Sequence, residues 1–163
     1  MINYLQTTGK YNLDHMNKKQ LNILLADDDA DDCFFFEKAL REIPIAARLT
    51  MVNNGERLMD FIYKNLDHLP DVLFLDLNMP RKSGFECLTE IVENVKLKGL
   101  PVIMFSTSYT PDPKYEQNMV DVLYKLGAYD YIRKPGDFTK LKELIHQSLL
   151  KLVEKRSLKK AKN

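Results

Sequence analysis

The sequence predicts a doubly wound α/β fold, a five-stranded parallel sheet with helices on both faces. Short apolar runs at 21–26, 72–75, 102–105 and 129–133 alternate with longer stretches of helical spacing, the pattern of strands joined by crossover helices. The first three runs are almost continuously apolar, as strands buried on both faces are. Each of the four runs also ends in a polar residue suited to the chemistry of a cation and a phosphoryl group: Asp27 and Asp28, Asp76, Ser106 and Lys134. In such sheets ligands bind in the crevice at the carboxyl ends of the strands, where the strand order reverses, and all five residues fall there.

In chain order, the run at 21–26 leads into Asp27-Asp28-Asp29 and a helix over roughly 31–42. Asp29, Asp31 and Asp32 are read as favouring that helix's first turn, where carboxylates suit the exposed N–H groups. A weaker strand candidate at 48–52 and a helix over 56–66 follow. After the run at 72–75, Gly84 in Pro80-Arg81-Lys82-Ser83-Gly84 is expected to supply conformational freedom for the turn into a helix over 85–97. The run at 102–105 precedes a helix over 113–126, with Pro111 and Pro113 near its start, and the run at 129–133 precedes a last helix over 138–155.

Residues 1–20 are polar and without period, and are expected to form a flexible extension ahead of a domain spanning 21–155. Met16, directly before the first strand, is read as a plausible natural start, with residues 1–15 expected as an upstream extension of the reading frame. At the other end, residues 156–163 read as a basic tail, and Lys151, Lys155, Arg156, Lys159, Lys160 and Lys162 as the solvated end of a helix.

A chain of 163 residues with 45% hydrophobic content fills one domain core and leaves no room for a second. A net charge of +1 argues against electrostatic binding of nucleic acid or membrane, and no apolar stretch reaches the length of a span or signal sequence, so a cytoplasmic protein is expected. Cys33 and Cys87 lack metal-ligand spacing and read as buried reduced thiols. His15, His68 and His146 form no motif.

The strand-end residues carry the chemistry. Adjacent carboxylates repel unless a cation lies beside them, and hard oxygen ligands of this kind suit Mg²⁺, so Asp27, Asp28 and Asp76 imply a metal cage to which Asn78 could add its backbone carbonyl. Asp76 stands at a strand-to-loop junction where a phosphorus atom could be attacked. Lys134 offers a compact positive charge for a phosphoryl oxygen and Ser106 a hydroxyl donor. Alone, each is an ordinary strand-end residue; their coincidence on one sheet edge argues for a site.

Four segments carry a resemblance. Ile23-Leu24-Leu25-Ala26-Asp27-Asp28-Asp29, Leu73-Phe74-Leu75-Asp76-Leu77-Asn78-Met79-Pro80, Pro101-Val102-Ile103-Met104-Phe105-Ser106-Thr107 and Tyr131-Ile132-Arg133-Lys134-Pro135 resemble the signatures of two-component response-regulator receiver domains, in order, from about residue 20 to about 150. The resemblance implies the flavodoxin-like strand order 2-1-3-4-5. It implies phosphorylation of Asp76 by a histidine kinase or phosphotransfer protein, with Mg²⁺ on Asp27, Asp28, Asp76 and the Asn78 carbonyl. It further implies that Lys134 pairs with the phosphoryl group, that Ser106 moves to meet it, that Tyr131 turns inward as Ser106 moves, and that the Lys134-Pro135 bond is cis, an arrangement that costs little only before proline.

The chain departs from the family in a longer segment between Ser108 and Leu126, in the bulkier Thr107 beside the phosphoryl site, and in Gly136, which is expected to loosen the loop into the last helix. The expected role is a stand-alone receiver signalling through protein contacts, possible homodimerisation included, through the face of residues 113–126, 129–133 and 138–150, with no specific nucleic acid or membrane partner. The alternatives are a degenerate receiver used as an interaction module and an aspartate-nucleophile phosphohydrolase. The second is disfavoured because Asn78 stands where such enzymes place an acid.

Overall fold

The structure is a computed structural model that describes residues 20–107 and 112–160, and the side chains among these through residue 158. The elements run β1 (Leu21–Ala26), α1 (Ala30–Glu42), β2 (Ala47–Val52), α2 (Gly55–Lys64), β3 (Val72–Leu75), α3 (Gly84–Glu93), β4 (Val102–Ser106), α4 (Pro113–Leu126), β5 (Asp130–Arg133) and α5 (Phe138–Lys160), with 3₁₀ turns at Leu66–His68 and Val95–Leu97. The strands form one parallel sheet in the order β2-β1-β3-β4-β5. The order reverses between β1 and β3, which opens the crevice the strand ends share.

Register sets that crevice. Ala26 lies opposite Leu75, Leu75 opposite Met104, and Ser106 opposite Arg133, so the residues that follow each strand emerge together. The Asp76 N–H donates to the Ala26 carbonyl at 2.9 Å, and the Lys134 N–H to the Ser106 carbonyl at 2.9 Å. These bonds extend the ladders past the strands and hold the first loop residues in place.

Alternate residues of the central strands face opposite layers, because strand side chains point to the two faces in turn. On one face Phe36 of α1 meets Phe74 and Phe105 edge-on, with ring centroids 4.8 and 5.4 Å apart, and Ile145 and Leu149 of α5 complete the layer. On the other, Leu58 and Ile62 of α2, Leu88 and Ile91 of α3 and Leu123 of α4 cover Leu24, Leu73 and Met104. Each large side chain fully buried there contributes about 1.5–3 kcal/mol. β2 is only half-buried, as befits an edge strand, and its mixed sequence explains why it read weakly.

Two helix ends differ clearly from the sequence reading. The helix expected over 85–97 ends at Glu93, because the Asn94 side chain accepts the Lys96 N–H and starts the 3₁₀ turn; an amide that bonds to nearby backbone competes with helix continuation. The last helix runs past 155 to Lys160, so the basic tail expected from 156 is in part helix. Its anchor is Arg156, whose guanidinium donates to the Asp71 carboxylate at 2.5 Å and to the Asp71 carbonyl at 2.7 Å. The flexible extension expected over 1–20 lies outside the described residues except for Gln20, whose side chain donates to the Ala47 carbonyl at 3.3 Å. Part of the lengthened segment, residues 108–111, also lies outside them; beyond it Asp112 caps α4 and Pro113 opens it.

Candidate functional site

The structure brings Asp27, Asp28, Asp76, Asn78, Ser106 and Lys134 together at the carboxyl edge of the sheet. Asp27 is buried, its backbone N–H bonded to the Val52 carbonyl and its carboxylate accepting the Asp29 N–H at 3.0 Å. Asp28 is exposed and Asp76 buried at the end of the central strand β3. One carboxylate oxygen from each of the three lies within 4.8 Å of the others, an all-oxygen donor set that fits a hard divalent cation.

Lys134 closes the site from β5. Its Nζ donates to Asp27 Oδ2 at 2.7 Å and to Asp32 Oδ2 at 2.8 Å, and stands 3.6 Å from Asp76 Oδ1, with its side chain only 7% exposed. Burial disfavours that charge, but the bonds to Asp27 and Asp32 outweigh it and hold the lysine pKa above its ordinary value. Burial acts on Asp27 as well and is the largest influence there, pushing its carboxyl up to about 6 against the downward pull of Lys134. The ammonium also lies 5.1 Å from the Phe105 ring centroid, whose face suits a cation.

Ser106 ends β4 fully buried, and its hydroxyl is 3.5 Å from the Asn78 amide. The Asn78 backbone N–H meets Asp76 Oδ2 at 3.3 Å. Tyr131, one strand over, is half-buried, and its hydroxyl donates to Glu116 Oε1 of α4 at 3.3 Å. Burial first, then the Glu116 charge, push that phenol up to about 12. Arg133 reaches the same carboxylate at 3.3 Å, so two residues of β5 are tied to α4 through one side chain. Thr107 and Gly136 are exposed; the side chain of Asp137 caps the start of α5 by accepting the Lys140 N–H at 2.7 Å.

Three expectations are corrected here. The sequence marks Asp32 as a helix-start acid alone, yet its side chain bonds Lys134; the legible signal is its place one helical turn after Asp28 and Asp29. Gly84 has no positive φ, so conformational freedom is not its reason: a Cβ there would lie 2.0 Å from the Asp76 carbonyl oxygen. The left-handed residue of that turn is Arg81, at φ 69°. No described peptide bond is cis, so Lys134 reaches Asp27 across a trans bond to Pro135.

A family model for the response regulator receiver domain matches residues 23–146, and that span holds every residue of this site. The chain is a response regulator receiver domain. This receiver is 30% identical over 128 residues to the response regulator Rcp1 of Synechocystis sp., across 76% of this chain and 82% of that protein. It spans 29% of a probable cyclic di-GMP phosphodiesterase of Vibrio cholerae, to which it is 27% identical. Among solved structures it resembles the phosphorylated cyanobacterial phytochrome response regulator RcpA, with a TM-score of 0.68 at 28% identity over 78% of this chain and 90% of that one. The Mn²⁺-bound form of Rcp1 gives a TM-score of 0.66 at 27% identity with the same coverage.

Proposed function

We propose that this receiver accepts a phosphoryl group on Asp76 from a histidine kinase or phosphotransfer protein and signals in the cytoplasm through phosphorylation-dependent protein contacts, without turning over a substrate of its own. The observation that carries this reading is the placement of Asp76: it shares a three-carboxylate cluster with Asp27 and Asp28 and stands 3.6 Å from the Lys134 ammonium. Asp27, at the end of β1, shares the cluster but has its carboxylate engaged by the Lys134 ammonium at 2.7 Å and by the Asp29 N–H at 3.0 Å, whereas Asp76 Oδ1 lies beyond hydrogen-bond distance of the ammonium.

Mg²⁺ would be held by Asp27, Asp28, Asp76 and the Asn78 carbonyl, and when bound it supplies neutralisation of the charge that an anionic donor brings to three carboxylates. Asp76 attacks phosphorus through a carboxylate oxygen while the donor's bond to phosphorus breaks and the donor group leaves with the electron pair. Lys134 then turns its free N–H to a phosphoryl oxygen, and the Ser106 hydroxyl reorients toward another. As Ser106 moves, Tyr131 leaves Glu116 and enters the space vacated, which loosens the tie between β5 and α4. Phosphorylation thereby shifts an equilibrium between two arrangements of that face. Residues 113–126, 129–133 and 138–150 then form the surface a partner or a second copy reads, where Tyr115 and Val122 of α4 are exposed. Specific nucleic-acid binding is not part of this reading, and no helix of the described residues is long and apolar enough to cross a membrane.

Incubation with a small phosphodonor and Mg²⁺ tests it. The chain should gain one phosphoryl group, lost with Asp76→Asn and with chelator; undiminished labelling of that variant sinks the assignment.

A further inference from the structure

We infer that Asp32 is a positioning residue for Lys134, holding its ammonium off Asp76 so that the acceptor oxygen stays open to an incoming phosphorus atom. The inference rests on the reading of Asp76 as the phosphoacceptor. An ammonium has three protons to donate. Two go to Asp27 at 2.7 Å and Asp32 at 2.8 Å, while the distance to Asp76 Oδ1, 3.6 Å, is beyond a hydrogen bond. The lysine side chain is 7% exposed, so water is a poor substitute for a lost partner. With Asp32 removed, the ammonium is no longer held between two carboxylates and swings to the nearest remaining acceptor, Asp76. A carboxylate oxygen that accepts a short bond from an ammonium has a lone pair engaged and is a weaker nucleophile.

Asp32 is suited to this role by its own support. It sits in the first turn of α1, where its N–H donates to the capping Asp29 carboxylate at 3.0 Å and the helix end favours its charge. Its side chain is 34% exposed, so it keeps part of its hydration while it holds the lysine. Asp27 alone leaves the ammonium free to rotate about one bond; Asp27 and Asp32 together fix the direction of the third proton. That proton is the one available to a phosphoryl oxygen after transfer, and Asp32 keeps its bond through the step.

The test is phosphorylation of the intact chain by acetyl phosphate with Mg²⁺. In that step a bond forms between phosphorus and an Asp76 oxygen while the donor's P–O bond breaks, its electron pair leaving with acetate. Asp32→Ala is expected to lower the saturating rate roughly three- to tenfold, with Asp32→Glu recovering most of it. The half-saturating donor concentration should not rise, because a negative charge near the anionic donor has been removed. In the unphosphorylated chain the Lys134 ammonium nitrogen resonance should move with Asp32→Ala and stay put with Asp31→Ala, a readout that a merely structural role would leave unchanged. A saturating rate within about twofold of the parent overturns the inference, as does a glutamate no better than alanine or an unmoved lysine resonance. Labelling that persists in Asp76→Asn overturns the acceptor assignment instead, and the resonance still shows whether Asp32 holds Lys134.

Discussion

Gly84 and Asp76 are in closer contact than any side chain between them would permit: a Cβ on Gly84 would lie 2.0 Å from the Asp76 carbonyl oxygen. The Gly84 N–H also donates to the Leu77 carbonyl at 2.9 Å, so the start of α3 is laid directly on the peptide that carries the proposed acceptor. Gly84→Ala should force the two apart. Overpacking of this kind costs about 1–3 kcal/mol, measurable by denaturant unfolding, and labelling at Asp76 should slow beyond what the stability loss explains. An alanine variant of parental stability and labelling rate would contradict the contact.

Phe36 is the residue around which one half of the core is arranged, fully buried and edge-on to both Phe74 and Phe105. Phe36→Ala should destabilise by about 3–5 kcal/mol, and Phe36→Leu by distinctly less. Because Phe105 also lies under the Lys134 ammonium, the cavity should disturb the lysine as well; equal losses for alanine and leucine would argue against packing as the cause.

The two thiols give a pH dependence with a definite sign. Burial is the main reason that both Cys33 and Cys87 are pushed from 9.0 up to about 11, with the Asp27 charge adding to the effect at Cys33. A folded-state pKa raised above the unfolded one means that the stability tied to these groups is complete below pH 9 and is lost as pH rises through about 11. Unfolding free energies across that window should fall more steeply for the parent than for a Cys33→Ser, Cys87→Ala double variant. Parallel slopes would remove the thiols from the account. The same raised values predict slow alkylation of the native protein at neutral pH.

Asp71 and Arg156 should show energetic coupling. The Arg156 side chain is 37% exposed and that of Asp71 15%, so the pair is partly shielded from solvent. A double-mutant cycle with alanine at both positions should return about 1 kcal/mol, reduced by salt. Asp71→Ala alone should cost more than Arg156→Ala, because the same carboxylate accepts the Asn22 N–H at 2.8 Å and that donor loses its partner.

Most of the fold was legible because the residues that specify it act locally or by period. The apolar runs of β1, β3 and β4 are buried on both faces and read as such, and the strand-end residues Asp27, Asp28, Asp76, Ser106 and Lys134 converge as a parallel sheet requires. What was not legible depends on contacts distant in sequence. Asp32 looked like a helix-start acid because its partner, Lys134, is 102 positions away. Arg156 looked like a solvated tail residue because Asp71 is 85 positions away. Gly84 is needed for space and not for a positive φ, and the two needs look alike in a sequence. Asn94 carried a local signal, a side chain that caps the next turn, but the hydrophobic spacing of Leu88, Ile91 and Leu97 runs across it and suggested one continuous helix.

The far end of α5 sets the limits of the cooperative unit. The match to the receiver family model ends at residue 146, yet Leu149 and Leu152 beyond it lie in the core and Arg156 fastens the helix to the beginning of β3. The matched stretch and the packed helix therefore stop at different places in this chain. A domain excised at the end of the matched stretch would keep every residue of the strand-end site and lose the fastener at the opposite edge of the sheet, leaving an intact site on a frame that opens more readily.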